Sequence, residues 1–176
     1  WPRPQNFSLY MWGNNGKGQI GNGTVSGTSI QDPQQILPND TTPLVFTASW
    51  NKSQVVKPDG TLWVWGQNNV GQMGYNWPNN FKYPQQQVAG GTNWVTCFGG
   101  QYWSAAIKTD GTLWGWGRSF NGEFLAPDAG EFSGVVQIGS ASNWSKIAGG
   151  DGNVLALTTS GNMRSEEHTS ELQSRG

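Results

Sequence analysis

Residues 59–74 read DGTLWVWGQNNVGQMG, and closely similar stretches occur at residues 9–21 (LYMWGNNGKGQIG) and 113–125 (LWGWGRSFNGEFL). The Trp-Gly pairs within them begin at Trp12, Trp65 and Trp116, which are 53 and 51 residues apart. Self-similarity at a fixed period of this size indicates a repeat architecture, in which each unit buries its apolar face against the next.

A second block precedes the Trp-Gly strand in each unit, reading VVKPDGT at 55–61, AIKTDGT at 106–112 and ALTTSGN at 156–162. Asp-Gly between two short apolar runs is a strong signal for a β-hairpin, because both residues accept a positive φ at low cost. The strand at 62–65 is apolar on both faces, as expected where a sheet is covered on each side. The repeats therefore predict an all-β fold with no sustained helical period.

The composition excludes several classes of protein. The chain has 176 residues with 26 Gly and 11 Trp, and it is too rich in aromatic side chains for a disordered segment. Its net charge is −1 and it has no run of Lys or Arg, so the sequence predicts no nucleic-acid partner. No apolar stretch approaches the roughly 18 residues of a membrane-spanning helix, so we expect no membrane insertion.

The pattern W-G-x-N-x-x-G-Q-h-G after D-G-T-h, as read at residues 59–74, resembles the regulator of chromosome condensation repeat. The resemblance extends over residues 9–163, although Glu123 and Leu125 replace the Gln and the last Gly in the third copy. That family forms a β-propeller, usually seven-bladed, with about fifty residues in each blade. The resemblance therefore implies a partial β-propeller of about three blades, which is an open arc of a seven-bladed ring.

The repeat divides the chain into four units and a tail. We expect the chain to be a fragment, because it starts inside one repeat and stops inside another. The tail, residues 164–176, has neither the aromatic residues nor the spacing of the repeats, and residues 164–174 (RSEEHTSELQS) resemble a translated sequencing adapter, so we interpret it as non-native. The predicted units are 1–31 (the second half of a repeat), 32–83, 84–134 and 135–163 (the first half of a repeat).

The sequence offers no constellation of catalytic residues. The only histidine, His168, lies in the tail, and Cys97 has no histidine to activate it as a nucleophile. Residues 16–21 fit the dinucleotide pattern G-x-G-x-x-G, but no helix is expected to follow them, so the match is a by-product of the repeat. We therefore expect a protein that is not an enzyme and that holds no cofactor or metal ion.

Tryptophan residues separate into two groups. Those in the shared columns are explained by packing between blades. Others fall outside the columns, and Trp77 lies in a polar and aromatic insertion, YNWPNNFKY, at residues 75–83. Loops on a rigid scaffold often carry function, so this insertion is the predicted contact surface, although ordinary loop filling explains it too. The predicted ligand contacts are Trp77, Phe81, Tyr83 and Trp103.

A fold does not determine a function, so three hypotheses remain open. The first is a non-catalytic repeat module that binds a protein or glycan partner, as part of a larger extracellular, cell-envelope or virion protein. The second, implied by the family resemblance, is a regulatory scaffold of the guanine-nucleotide exchange factor kind. An enzyme has the least support.

Overall fold

The computed structural model describes residues 7–40, 45–75, 81–119, 130–159 and 163–165. Within these ranges every regular element is a β-strand, which confirms the predicted all-β class. No helix among them is long and apolar enough to cross a membrane. The strands are β1 (Phe7–Asn15), β2 (Ser26–Asp40), β3 (Val45–Ser49), β4 (Lys52–Val56), β5 (Leu62–Gln67), β6 (Phe81–Gln87), β7 (Trp94–Gly99), β8 (Trp103–Lys108), β9 (Leu113–Ser119), β10 (Gly130–Gln137), β11 (Trp144–Gly149), β12 (Val154–Thr158) and β13 (Met163–Ser165).

The strands form antiparallel sheets that follow one another along the chain. Their orders are β1-β2, then β3-β4-β5-β6, then β7-β8-β9-β10, and then β11-β12-β13. We call these the first, second, third and fourth sheets. Neighbouring sheets touch mainly through their leading strands, since β3 and β4 contact β7 while β7 and β8 contact β11. The leading strands are therefore where the sheets lie closest together.

The sheets are offset from the predicted repeat units. The predicted boundary between residues 83 and 84 falls inside β6, and the boundary between 134 and 135 falls inside β10. In the fourth sheet, Arg164 and Ser165 of the predicted tail pair with Ala156 and Leu155. Residues 166–176 lie outside the described residues, so the interpretation of the tail as non-native stays a prediction, as do the unit boundaries.

The hairpin predicted at Asp59-Gly60 joins β4 to β5 and is stabilised by its own side chains. Asp59 Oδ1 accepts hydrogen bonds from the Thr61 main-chain N–H (2.9 Å) and from its hydroxyl (2.6 Å), and the same hydroxyl accepts the indole N–H of Trp63 (2.8 Å). Gly60 has a φ of +77°, and a Cβ there would overlap the main-chain carbonyl of Thr92. The D-G-T-x-W motif is therefore a complete turn, and it recurs with the same hydrogen bonds from Asp110 to Trp114.

Two interfaces between successive sheets are each joined at a main-chain carbonyl of the G-Q-h-G loop. At both, a serine hydroxyl and the indole N–H of the Trp-Gly pair donate to the same glutamine carbonyl, at 2.7 to 3.1 Å. These two tryptophans are completely buried, so packing between sheets explains the shared Trp column at those positions, whereas Trp12, at the same column in the first sheet, is 62% exposed. The two sets are Ser53 and Trp65 with the carbonyl of Gln19, and Ser104 and Trp116 with the carbonyl of Gln72.

Candidate binding surface

Three short turns meet at one end of the second, third and fourth sheets. They join β3 to β4 at residues 50–51, β7 to β8 at 100–102, and β11 to β12 at 150–153. The pairings Ser49 with Lys52, Gly99 with Ser104 and Gly149 with Val154 show that each connection is a tight reversal. We define the turn surface as residues 49–52, 99–103 and 149–153. Aligning the repeats through these registers makes Trp50, Gln101 and Asp151 equivalent positions.

Trp50 is the most exposed large side chain of the turn surface, at 65% of its area. Its φ is 41°, and among the described residues it is the one non-glycine residue with a positive φ. A bulky residue in that region is strained by about 1–3 kcal/mol and stays there only when its surroundings impose it. The indole Nε1 donates to Asp151 Oδ2 at 2.9 Å, which fixes the ring across the third sheet.

The main chain of Asp151 is fixed by a second indole, that of Trp103. Its main-chain carbonyl accepts the Nε1–H of Trp103 at 2.9 Å. Trp103 itself is completely buried and packs on Phe98, with ring centroids 5.9 Å apart. The exposed carboxylate is therefore attached to a rigid part of the core rather than to a free loop.

Lys52 lies beneath the same surface and joins the second sheet to the third. Its side chain is only 2% exposed, and its Nζ donates to the main-chain carbonyls of Gly100, at 2.8 Å, and Trp103. Burial lowers the pKa of the amine from its ordinary value of 10.5 to about 7, against the smaller opposing effect of the nearby Asp151 carboxylate. Near neutral pH a large share of Lys52 is consequently an uncharged amine, whose two N–H groups match the two carbonyls.

Cys97 is buried in β7, close to Lys52. Burial raises the pKa of its thiol to about 12, so the thiol stays protonated at neutral pH and is a poor nucleophile. Among the described residues, no group of three His, Cys, Asp or Glu side chains is placed to hold a metal ion.

The four residues predicted as ligand contacts fall at this end of the sheets or outside the described ranges. Trp103 lies within the turn surface, where it is buried. Phe81 and Tyr83 belong to β6, and Phe81 pairs with Gln67, but their side chains lie outside the described residues. Trp77 also lies outside them, so ligand contact by these four residues stays a prediction.

The residues that dominate the surface, Trp50 and Asp151, were not among those predicted. The sequence contained one signal for Trp50, because it falls outside the shared Trp columns. Asp151 lies in the turn between β11 and β12, and its contact with Trp50 spans 101 positions. A contact of that range cannot be deduced from local sequence patterns.

A second concave surface lies between β1 and strands β3 to β5. This groove has a volume of about 200 Å³ and is lined on its open side by Tyr10, Trp12 and Phe46. These three side chains are exposed, with Trp12 at 62% and Phe46 at 63%. None of the lining residues is charged and most are apolar, although Thr47, Ser53 and Gln54 add polar side chains to the lining.

Comparison with known proteins identifies the repeat. Residues 59–107 match the family model described as the regulator of chromosome condensation (RCC1) repeat. This match confirms the resemblance found in the sequence, since it includes the D-G-T hairpin, the Trp-Gly strand and the following loop.

Solved structures with a similar fold include three chains that share 19% of their sequence with this one. Human WBSCR16 has a TM-score of 0.73 and is similar over 88% of this chain and 42% of its own. Prp20p from Saccharomyces cerevisiae has a TM-score of 0.63 over 76% and 34% of the two chains. Yeast RCC1 (Prp20) bound to Kap60 has a TM-score of 0.74 over 90% and 39%. The likeness confirms a partial β-propeller, and the chain spans less than half the length of these relatives.

Proposed function

We propose that this chain, which carries a repeat of the regulator of chromosome condensation family, is a non-catalytic binding module whose turn surface contacts a protein partner. The observation behind the proposal is Trp50, an exposed and strained indole that is fixed by Asp151 two sheets away. Tryptophan, with tyrosine and arginine, is enriched among the residues that contribute most of the binding energy at protein interfaces.

Preorganisation strengthens the argument. A tryptophan already held in one orientation loses little conformational freedom when a partner arrives, so more of its contact energy appears as affinity. The backbone strain at Trp50 contributes nothing to folding, and strained residues cluster where structure serves binding. Strain together with exposure is hard to explain by packing alone.

The similar structures support a protein partner. Prp20p is described with its binding properties to Gsp1p and histones, and yeast RCC1 (Prp20) was solved with Kap60 bound. Those partners belong to Prp20p, and at 19% identity they support only the general use of this fold as a protein-binding scaffold. A place in a larger cell-surface, envelope or virion protein is part of the proposal and rests on the Trp-rich, charge-poor composition.

Two other functions have one observation each in their favour. An exposed indole beside a carboxylate, with Gln101 at the equivalent turn between them, also suits a glycan. The similarity to yeast RCC1 (Prp20) favours a regulatory scaffold of the guanine-nucleotide exchange factor kind. The glycan is tested alongside the protein partner, and the regulatory scaffold predicts faster nucleotide release from a small GTPase.

The test compares the labelled 176-residue chain on arrays of purified proteins and of glycans. Three forms are applied: the wild type, Trp50→Asn, and the matched control Trp12→Asn, since both tryptophans are exposed to a similar degree. We expect protein spots that are retained by Trp12→Asn and lost by Trp50→Asn, because asparagine tolerates the positive φ but offers no ring. Trp50-dependent binding confined to glycans would replace the protein partner with a glycan. No Trp50-dependent binding on either array would refute the proposal.

A further inference from the structure

We propose that the turn surface contains a site for a cationic side chain, best matched by an arginine guanidinium stacked on Trp50 and paired with Asp151. The inference rests on the proposed function, because it names the chemistry of the partner residue that this surface receives. It concerns a contact between two turns that the repeat pattern does not contain.

The geometry of the Trp50–Asp151 contact leaves the ring face available. The indole N–H bond lies in the plane of the ring, and it donates to Asp151 Oδ2 at 2.9 Å. The carboxylate is therefore at the edge of the ring, while 65% of the side chain remains exposed. A planar cation that stacks on the ring face would make its π contact with the indole, and the carboxylate beside the ring would accept from its N–H donors.

The chain shows elsewhere that its indoles attract cations. Lys57 Nζ lies 3.9 Å from the ring centroid of Trp63, and Lys108 Nζ lies 4.1 Å from that of Trp114. Among the cation–ring contacts of the described residues, none involves Trp50. Trp50 is thus an exposed indole with a carboxylate beside it, and no lysine among the described side chains lies over its ring.

The charge beneath the surface favours a cation from outside. The Asp151 carboxylate acts on Lys52, whose amine is directed at the main-chain carbonyls of Gly100 and Trp103. Because burial lowers the pKa of Lys52 to about 7, the amine is largely uncharged above that pH and then supplies no positive charge to balance Asp151. The other titratable group near Lys52 is the Cys97 thiol, which stays protonated.

Arginine fits this site better than lysine for a physical reason. The guanidinium is planar, so it stacks on an indole and keeps several N–H donors in its own plane. The carboxylate at the ring edge lies within reach of such in-plane donors. A compact ammonium can satisfy the ring or the carboxylate well, but it has less contact with both at once.

The experiment follows the indole N–H signals of the ¹⁵N-labelled full chain by NMR. N-acetylarginine amide is titrated into it, and N-acetylcitrulline amide, which is planar and uncharged, serves as the matched ligand. The Trp50 signal is assigned by its loss in Trp50→Asn. We expect a saturating shift of that signal with the arginine compound and at least about threefold weaker binding of the citrulline compound. Asp151→Asn, which keeps the main-chain carbonyl, should weaken arginine binding by about threefold or more.

Trp12 provides the internal control, because it is equally exposed but lies in the uncharged groove. Equal responses of Trp50 to both compounds, or unchanged arginine binding in Asp151→Asn, would overturn the inference. An arginine response of Trp12 as strong as that of Trp50 would also overturn it. If the arrays show Trp50-dependent protein binding but arginine gives no shift, the cation site fails and the proposed function stands. A specific arginine shift without partner binding supports the site and counts against the function.

Discussion

Replacing Lys52 with methionine tests whether a buried, largely uncharged amine joins the second and third sheets. The two side chains have similar length and apolar volume, so the substitution removes mainly the amine. In the wild type that amine donates to the carbonyls of Gly100 and Trp103. Removing a buried donor from its acceptors costs about 1–3 kcal/mol, so Lys52→Met should lower the free energy of unfolding by that amount above about pH 10.5, where the wild-type amine is neutral in both the folded and the unfolded chain. At lower pH the cost of deprotonating the amine on folding offsets this loss.

The pH dependence is the sharper part of this prediction. The pKa of Lys52 is 10.5 when unfolded and about 7 when folded, so between these values the unfolded chain binds more protons. Stability contributed by this residue therefore rises with pH across that interval, with a limiting slope of about 1.4 kcal/mol per pH unit. Between pH 7 and pH 8.5 the wild type should gain about 1.5 kcal/mol relative to Lys52→Met.

The assay is urea unfolding followed by far-UV circular dichroism at four pH values from 7 to 8.5. The upper limit avoids Cys97, whose thiol pKa rises from 9 in the unfolded chain to about 12 when folded and lowers stability as the pH rises above about 9. Ser104→Ala is the matched control, because it removes a buried donor at the same interface without a titrating group. A difference in unfolding free energy between the wild type and Lys52→Met that stays constant with pH, as expected for Ser104→Ala, would refute the reasoning.

Three further predictions concern the hairpins and the groove. Gly60→Ala should lower the free energy of unfolding in urea by at least about 1 kcal/mol more than the control Gly23→Ala. Both glycines have a φ near +80°, but only at Gly60 would a Cβ overlap a neighbouring main-chain carbonyl. Equal losses in the two variants would contradict this. Hydrogen bonds from Thr112 lower the pKa of the Asp110 carboxyl below its ordinary 3.8, so its stabilisation is present above that value and lost as the pH falls through the folded-state pKa. Asp110→Asn should therefore reduce the fall in melting temperature between pH 5 and pH 3, and an unchanged acid profile would count against it. Phe46→Lys should reduce concentration-dependent self-association in sedimentation velocity, since it places a charge in the exposed apolar groove, whereas a wild type that stays monomeric at every concentration would disprove this.

The features that sequence could predict are those whose chemistry is complete within a few residues. The D-G-T-x-W hairpin contains its own donors and acceptors, from the Asp59 carboxylate through the Thr61 hydroxyl to the Trp63 indole. The repeat then places identical hairpins about fifty residues apart, so the all-β fold and the packing role of the shared Trp column follow from one motif. The exact strand limits did not follow, because β6 and β10 extend across the predicted unit boundaries.

The candidate site depends on information of a different kind. Trp50 and Asp151 occupy equivalent turns two repeats apart, so their spacing of 101 residues is set by the repeat. Whether one side chain reaches the other depends on the angle and distance between sheets, which no local pattern specifies. Columns that recur from repeat to repeat are occupied mainly by residues that build the sheets and their hairpins. Positions that differ between repeats are not required for building the sheets. Some of them serve the interior, as Trp103 does, and others, as Trp50 does, give one end of the propeller its own chemistry.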